Sequence, residues 1–590
     1  MFFSASKSPR AASKDRNSPS VSNAFQKRLP ARISLAFFLA SIGVGAHAQV
    51  SPGARDAQEI LRQREREREL REQQERRPDV RLPTEETGPA RKLPQNETPC
   101  FTLRTIVYPD AATRADWGWS LAAADPPDDP ATGRCLGVQG LRQAMSRIQD
   151  AIIARGYVTT RVLAEPQDFS TGTLKLTLLP GRIRAIRFSQ NDAGRGTVWN
   201  ALPMRPGDLL NLRDIEQGLE NFKRIPTAEA DIRIEPGERA GESDLAIAWK
   251  QSFPFRVNFS ANDGGLKTTG KYLGSTTVSA DHLLTLNDLF YFSYNHSLGA
   301  HRSERGTKGH TLHYSLPYGY WMLALTDSDN RYHQTVVGLN QNYVYSGFSQ
   351  TWEARLSRLV HRDALGKTNI SLRGYLTRYR NYIDDTEIEV QQRRMAGWEA
   401  GVNHRRFIGR AVVDANLTWK RGTGAFSAKR APEDDFGEGT ARPRLLTADF
   451  SLNYPFQGFG QNFRYSFYGR AQWNRTPLVP QDRFAIGGRY SVRGFDGQVI
   501  LMAERGWFAR NDLGVALPGG QELYLGIDHG RVGGHSAQLL LGRSLTGAVL
   551  GVRGGYKAAS WDVFIGTPID KPKGFLTDSV TTGFSFSLSL

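Results

Sequence analysis

The sequence predicts a membrane β-barrel of about sixteen antiparallel strands, preceded by an N-terminal helix and two small α/β modules. Three observations predict it. The chain opens with a secretory signal; from residue 253 to the C-terminus apolar and polar residues alternate, with many Tyr, Trp and Phe; and no apolar run of about 18 residues is present that could cross a membrane as a helix. At 590 residues the chain should hold several cores, because domains commonly run to about 100 to 200 residues.

The signal occupies residues 1–48. Lys7, Arg10, Lys14, Arg16, Lys27, Arg28 and Arg32 face one acid, Asp15, and precede the apolar stretch Ile33 to Val44 and the small-residue site Ala46-His47-Ala48. An Arg- and Ser-rich organelle transit peptide would share the basic lead, but it needs no continuous apolar block ending in A-x-A. Cleavage after Ala48 removes seven basic residues and one acid, which takes the formal charge of +17 to +11. That charge is spread along the chain and not gathered into a patch, so solubility and a basic pore lining explain it and nucleic acid is not an expected partner. The two cysteines, Cys100 and Cys135, belong to an exported chain in an oxidising compartment and are expected to form a disulfide. Two thiols with no nearby His pair do not complete a tetrahedral zinc site.

Residues 49–77 are expected to be helical. From Gly53 to Pro78 there is no Gly or Pro, and Glu67 with Arg71 and Glu72 with Arg76 stand at i, i+4. This helix has almost no apolar face, so it belongs in water, as a solvated spacer, or in a polar cavity. Residues 78–98, mixed Pro, Thr, Glu and Arg, read as a linker. The first module, 99–181, has a helix from Val138 to Arg155 with Leu141, Ala144, Met145, Ile148 and Ile152 on one face; strands follow over Tyr157–Val162 and Thr173–Leu178. The second, 182–252, repeats this grammar with strands at Ile183–Phe188, Ala228–Ile234 and Asp244–Trp249 and a helix at Leu212–Phe222. In the barrel, 253–590, Phe255, Val257, Phe259 and Ala261 alternate with Arg256, Asn258, Ser260 and Asn262; Gly583-Phe-Ser-Phe-Ser-Leu-Ser-Leu590 repeats the pattern at the C-terminus. A soluble sandwich also alternates, but the signal and the interfacial aromatics favour the membrane, where only a closed barrel satisfies such strands.

Several stretches carry a resemblance. Gly156-Tyr-Val-Thr-Thr-Arg161, Leu179-Pro-Gly-Arg-Ile-Arg184 and Arg213-Asp-Ile-Glu-Gln-Gly-Leu-Glu-Asn-Phe-Lys223 resemble paired POTRA domains; Gly270-Lys-Tyr, Ala431-Pro-Glu433, Phe436-Gly-Glu-Gly-Thr440, Gly487-Gly488, Val492-Arg-Gly-Phe495 and Asp528-x-Gly530 resemble the barrel that follows them in two-partner-secretion transporters, the filamentous-haemagglutinin type in particular. The resemblance covers nearly the whole mature chain. It implies a plug helix, two periplasmic POTRA domains and a sixteen-stranded outer-membrane barrel that exports an extended adhesin or cytolysin. Outer-membrane lipid and the barrel-assembly machinery are the further implied partners. Gly526 stands where that family often has an aromatic residue, and Leu590 ends the chain where many barrels end in one.

Within that frame Arg493 and Asp528 are the candidate site, with Val492, Gly494, Phe495 and Gly530 around them. Arg493 lies in a long loop, Arg475 to Arg505, whose glycines permit a folded-back path, and alternation along Gln521–Gly530 turns Tyr524, Gly526, Asp528 and Gly530 to the lumen. A bidentate Arg–carboxylate contact there would lock the loop inside the barrel. Other constellations fail. Gly366-Lys367-Thr368 lacks the earlier glycine of a phosphate loop, since His361 stands there; H-E-x-x-H and G-x-S-x-G are missing; His301, His310 and His313 read as surface-loop histidines. No catalytic, metal or cofactor site is expected. The competing reading is a BamA-like insertase, which shares the architecture but typically carries a longer periplasmic array.

Overall fold

The computed structural model describes residues 52–75, 78–83, 92–189, 196–299 and 303–590. The expected signal peptide, residues 84–91 and His301 lie outside them.

The first helix, α1 (Pro52–Gln74), starts one residue before Gly53 and ends ahead of Pro78. Beyond it, residues 78–83 meet the second α/β module, and residues 92–98 lead into the first. That module holds α2 (Ala111–Trp117) and α3 (Val138–Ala154). Helix α3 forms because Ala144, Ile148 and Ile152 recur every four residues, and all three are fully buried against Leu136, Leu174 and Leu176. Its first turn has no side-chain cap of its own; the Glu97 carboxylate accepts from the backbone N–H of Gly137 at 2.7 Å, Gln139 at 3.0 Å and Gly140 at 3.0 Å, placing a negative charge at the positive end of the helix. Its end is set by Gly156 at φ 99°.

The strand expected over Tyr157–Val162 is confined to Arg161–Leu163. Residues 156–160 turn instead, with Val158 N–H donating to Gly156 and Thr160 N–H to Tyr157, while the Tyr157 ring packs edge-on against Trp117 at 4.7 Å. Likewise Thr173–Leu178 divides in two: Thr173–Lys175 pairs in parallel with Thr105–Val107, and Thr177–Leu179 pairs antiparallel with Arg161–Leu163. A disulfide joins Cys100 and Cys135, flanking the short ladder Phe101–Thr102 with Cys135–Leu136.

In the second module Glu242–Gln251 lies between Arg182–Phe188, parallel to it, and Ala228–Pro236, antiparallel. Helix α4 (Leu212–Lys223) is capped by Asn211, whose side chain accepts from Arg213 N–H at 2.8 Å. Ile215, Leu219 and Phe222 drive its face into the core beneath that sheet.

Within the expected linker, the described residues 78–83 and 92–98 are docked on the two modules. Leu93 is 3 % exposed and sits in the first core, Val80 and Leu82 pack against the second, and Val80 and Leu82 N–H donate to Glu220 at 3.1 Å and Glu216 at 2.9 Å.

From Phe255 the chain forms a closed antiparallel barrel of sixteen spanning strands, plus the two-residue strand Thr386–Glu387. It closes by pairing the first strand, Phe255–Asn262, with the last, Thr581–Ser589. Alternation decides which residue faces where: Leu525 and Ile527 are about half exposed on the outer face, at 54 % and 51 %, whereas Tyr524 and Asp528 are 1 % exposed within. The turn after Tyr318 touches the second module, Gly319 N–H donating to Asn200 at 2.8 Å. That rim therefore carries the α/β modules, and the long strands Trp321–Val337, Asn342–Arg362 and Gly366–Ile383 rise from it to the far side. His310 and His313 correct the surface-loop expectation. Both lie on the strand Arg305–Tyr318, where His313 is 1 % exposed and stacks on Tyr291 at 4.6 Å. Lys367 of the Gly-Lys-Thr triplet is also on a strand and pairs with Asp79 at 2.9 Å.

Candidate functional site

The lumen is closed by two things, a loop and a helix. The loop joins Gln461–Asn474 to Arg505–Leu517. It folds inward as a short hairpin, Phe484–Ile486 with Leu501–Ala503. Val492, Phe495, Phe484 and Ile486 bury themselves against Phe508, Leu545 and Phe575, so the tip carries an apolar core of its own.

Arg493 projects from that tip and is 3 % exposed. Its Nε donates to Asp528 at 2.7 Å and its Nη2 to the other oxygen of the same carboxylate at 2.8 Å, a bidentate contact; its backbone N–H donates to Asp528 at 2.9 Å. A second acid completes the arrangement: Asp512 accepts from Arg493 Nη2 at 2.5 Å. Sequence reasoning named Arg493 and Asp528 and missed Asp512. The glycines make room for this contact. Gly494 adopts φ 91°, and a Cβ on Gly526 would lie 2.7 Å from Arg493 Nη2; one on Gly530 would lie 2.9 Å from Val492 Cγ2, and one on Gly547 would overlap the Arg493 carbonyl. An aromatic residue at 526 would occupy the guanidinium's place.

Helix α1 lies inside the barrel and touches opposite walls. Gln58 and Arg62 donate to the loop carbonyl of Gly497 at 2.6 and 2.7 Å. Arg64 donates to the Gln481 carbonyl at 2.8 Å, Asp56 accepts from Tyr332 at 2.8 Å, and Arg470 donates to Glu65 at 2.9 Å. At the far end of the helix Ser279 donates to Gln74 at 2.7 Å. The i, i+4 pair of Glu67 with Arg71 gives way to the wall, because Arg71 donates to Glu353 at 2.6 Å; Glu353 accepts in turn from Arg373, which also reaches Glu399 at 2.8 Å. A helix with almost no apolar face finds here a largely polar cavity with charges of both signs, while its Ile60 packs among Tyr379, Met395, Ala431, Ala441 and Val479.

The module rim is fastened through α4. Arg224 donates to the Asn287 carbonyl at 2.9 Å and to Ser315 at 2.6 Å, Asn221 donates to the Gly319 carbonyl at 2.7 Å, and Arg362 donates to Glu216 at 3.0 Å and Glu220 at 2.9 Å. Glu216 and Glu220 therefore hold a barrel arginine and the chain that follows α1 at the same time. In the first module the Asp129 carboxyl is held below the usual carboxylate range, first by the Leu93 N–H at 2.8 Å and then by the Arg147 guanidinium. Among the described residues no cluster of His, Cys, Asp or Glu is arranged to hold a metal ion.

A closed barrel that holds a polar helix and an inward loop, with two α/β modules docked at one rim, defines an outer-membrane transporter. Comparison with known proteins places it further. Residues 241–554 match the family described as haemolysin secretion/activation protein ShlB/FhaC/HecB, residues 182–236 match a POTRA domain and residues 120–181 a ShlB-type POTRA domain. The chain belongs to this family, the outer-membrane transporters of two-partner secretion, with its POTRA domains on the periplasmic side. Relatives include the outer membrane transporter CdiB-2 of Burkholderia pseudomallei, 36 % identical over 93 % of this chain and 98 % of that protein. The hemolysin transporter protein ShlB of Serratia marcescens is 26 % identical over 68 % of this chain and 71 % of its own. The structure of CdiB from Acinetobacter baumannii superposes with a TM-score of 0.79 at 28 % identity, covering 92 % of this chain and 100 % of that one. The insertase alternative gives way to this family.

Proposed function

We propose that this transporter exports one large partner exoprotein, of adhesin or cytolysin type, as an extended chain, and that α1 must leave the lumen while the loop lock stays. The observation that carries this reading is the contrast between the two closures. The loop is held by an apolar cluster and a buried Arg493–Asp528–Asp512 triad, whereas α1 places one side chain, Ile60, in a small apolar cluster at the wall and is otherwise held by polar and ionic contacts that water or a passing chain can replace. The client is recognised in extended form at the POTRA domains, where strand addition supplies main-chain hydrogen bonds and side-chain pockets add specificity. Residues 1–48 act as the signal peptide, and the barrel-assembly machinery inserts the barrel. Deleting residues 52–74 tests the plug. Planar-bilayer conductance rises for the deleted protein; equal conductance with and without the helix overturns the reading.

A further inference from the structure

We infer that a row of basic residues on the outer wall of the barrel binds the phosphates of an anionic glycolipid in the outer leaflet of the membrane. The row crosses neighbouring strands at one level. His296 stands opposite Lys308, Lys308 opposite Arg331, Arg331 opposite Phe348, and Phe348 opposite Arg380. Lys308, Arg331 and Arg380 are exposed. Each points outward, sharing strand parity with an exposed leucine of the lipid face, Leu312, Leu323 and Leu372 respectively.

Two features of this row call for a ligand. Like charges directly across a strand pair are destabilising, with Cβ atoms about 5 Å apart, yet Lys308 faces Arg331 in register, and Arg378 faces Arg394 one level nearer the modules. The positive charge is also poorly neutralised by the protein. Among the described residues Lys308 and Arg380 make no ion pair, and Arg331 has only Asp329 at 3.9 Å, a carboxylate already engaged by His310 at 2.9 Å. The Arg331 guanidinium lies over Phe348 at 5.2 Å, which holds it against the wall with its donors free at the edge.

Height identifies the ligand. Lys308 is ten residues along its strand from Tyr318, beside the turn that meets the second POTRA domain. Ten residues rise about 33 Å along a strand, or about 25 Å vertically at a tilt near 40°, the thickness of the apolar band of an outer-membrane barrel. The row thus stands at the outer edge of that band, above exposed Phe292, Leu312 and Leu323. From Lys308 to Arg380 is three strand steps, about 14 Å, enough for two phosphates of one headgroup, with acyl chains lying on the apolar residues below. An open groove of about 820 Å³ runs along the row. Arginine forks suit phosphate oxygens bidentately, and lysine serves as a point charge.

The test uses the full-length protein in detergent, native mass spectrometry, and bis-phosphorylated lipid A as the probe. Wild type retains the lipid. Lys308→Ser/Arg331→Ser/Arg380→Ser binds it about tenfold or more weakly, as expected when several charge-assisted contacts are lost. Arg358→Ser, exposed at the periplasmic rim beside Trp321, binds as wild type does. The same glycolipid stripped of its phosphates binds both proteins equally weakly, and excess inorganic phosphate does not displace the intact lipid. Barrel assembly is checked by heat-modifiable mobility, and if the triple variant fails to assemble, Lys308→Ser alone carries the test with a several-fold loss. Unchanged affinity in the assembled variant, equal binding of the dephosphorylated lipid, or displacement by inorganic phosphate overturns the assignment.

Discussion

Removing the Arg493 side chain strands two carboxylates, and the structure sets the size of the effect. In Arg493→Ala, Asp528 at 1 % exposure and Asp512 at 8 % lose their shared cation. Breaking a buried pair by deleting one partner costs about 3 to 5 kcal/mol. The lower end applies, because Arg553 lies 3.3 Å from Asp512 and Arg510 lies 3.9 Å from Asp528 and both compensate in part. Asp528→Ala is milder, about 2 kcal/mol for the lost charge-assisted contacts, since Arg493 keeps Asp512 at 2.5 Å. Asp512→Ala is milder again, because the bidentate contact survives. A loss of about 3 kcal/mol shifts the docked loop toward the undocked state more than a hundredfold. The assay is labelling of Gln498→Cys on intact cells by a membrane-impermeant maleimide, with no competing thiol because Cys100 and Cys135 are bonded to each other. The labelling rate rises in the order Asp512→Ala, Asp528→Ala, Arg493→Ala, and secretion falls in the same order. Rates within twofold of wild type for all three, at normal outer-membrane levels, refute the lock.

Other outcomes follow from the periplasmic side. Cys100→Ser/Cys135→Ser opens a 35-residue loop, and the first POTRA domain loses about 3 to 4 kcal/mol on the chain-entropy account, read as an earlier denaturant transition of that domain in the full-length protein. Arg224→Ala leaves the Asn287 carbonyl and Ser315 without their donor and raises hydrogen exchange across Leu212–Lys223, while Arg233→Ala, exposed on the same domain, does not. The Asp129 carboxyl titrates below its unfolded value, so its contribution to stability is complete above about pH 4 and is lost as pH falls through the folded value. Amide protection at Leu93 therefore drops with acid, and Asp129→Asn removes that dependence and leaves protection lower at neutral pH.

The barrel was legible because alternation is enforced along every strand by lipid outside and water within. Asp528 was placed by the same rule. Asp512 was missed although it left a signal: the turn after Leu517 sets the hairpin register that puts Asp512 opposite Gly526, the position vacated for the guanidinium. Reading it required two strands together, where alternation uses one. His310 and His313 depart from the surface-loop expectation because Gly306 and Gly309 make the start of their strand look like a loop, whereas strand pairing overrides that local preference. Residues 78–98 looked like a spacer because their contacts are single side chains, Val80, Leu82, Leu93 and Glu97, docked on separate bodies, and such contacts leave no period in a sequence.

The central claim, that α1 leaves the lumen for export to proceed, is tested most directly by tethering it to the wall. Ser349 Oγ donates to Gln63 at 2.5 Å, so cysteines at these two positions stand within reach of a short, reducible bifunctional thiol reagent. With the tether closed, secretion of the partner stops; reduction restores it, and each single-cysteine variant carried through the same treatment secretes throughout. Undiminished secretion from a fully tethered protein would contradict the account.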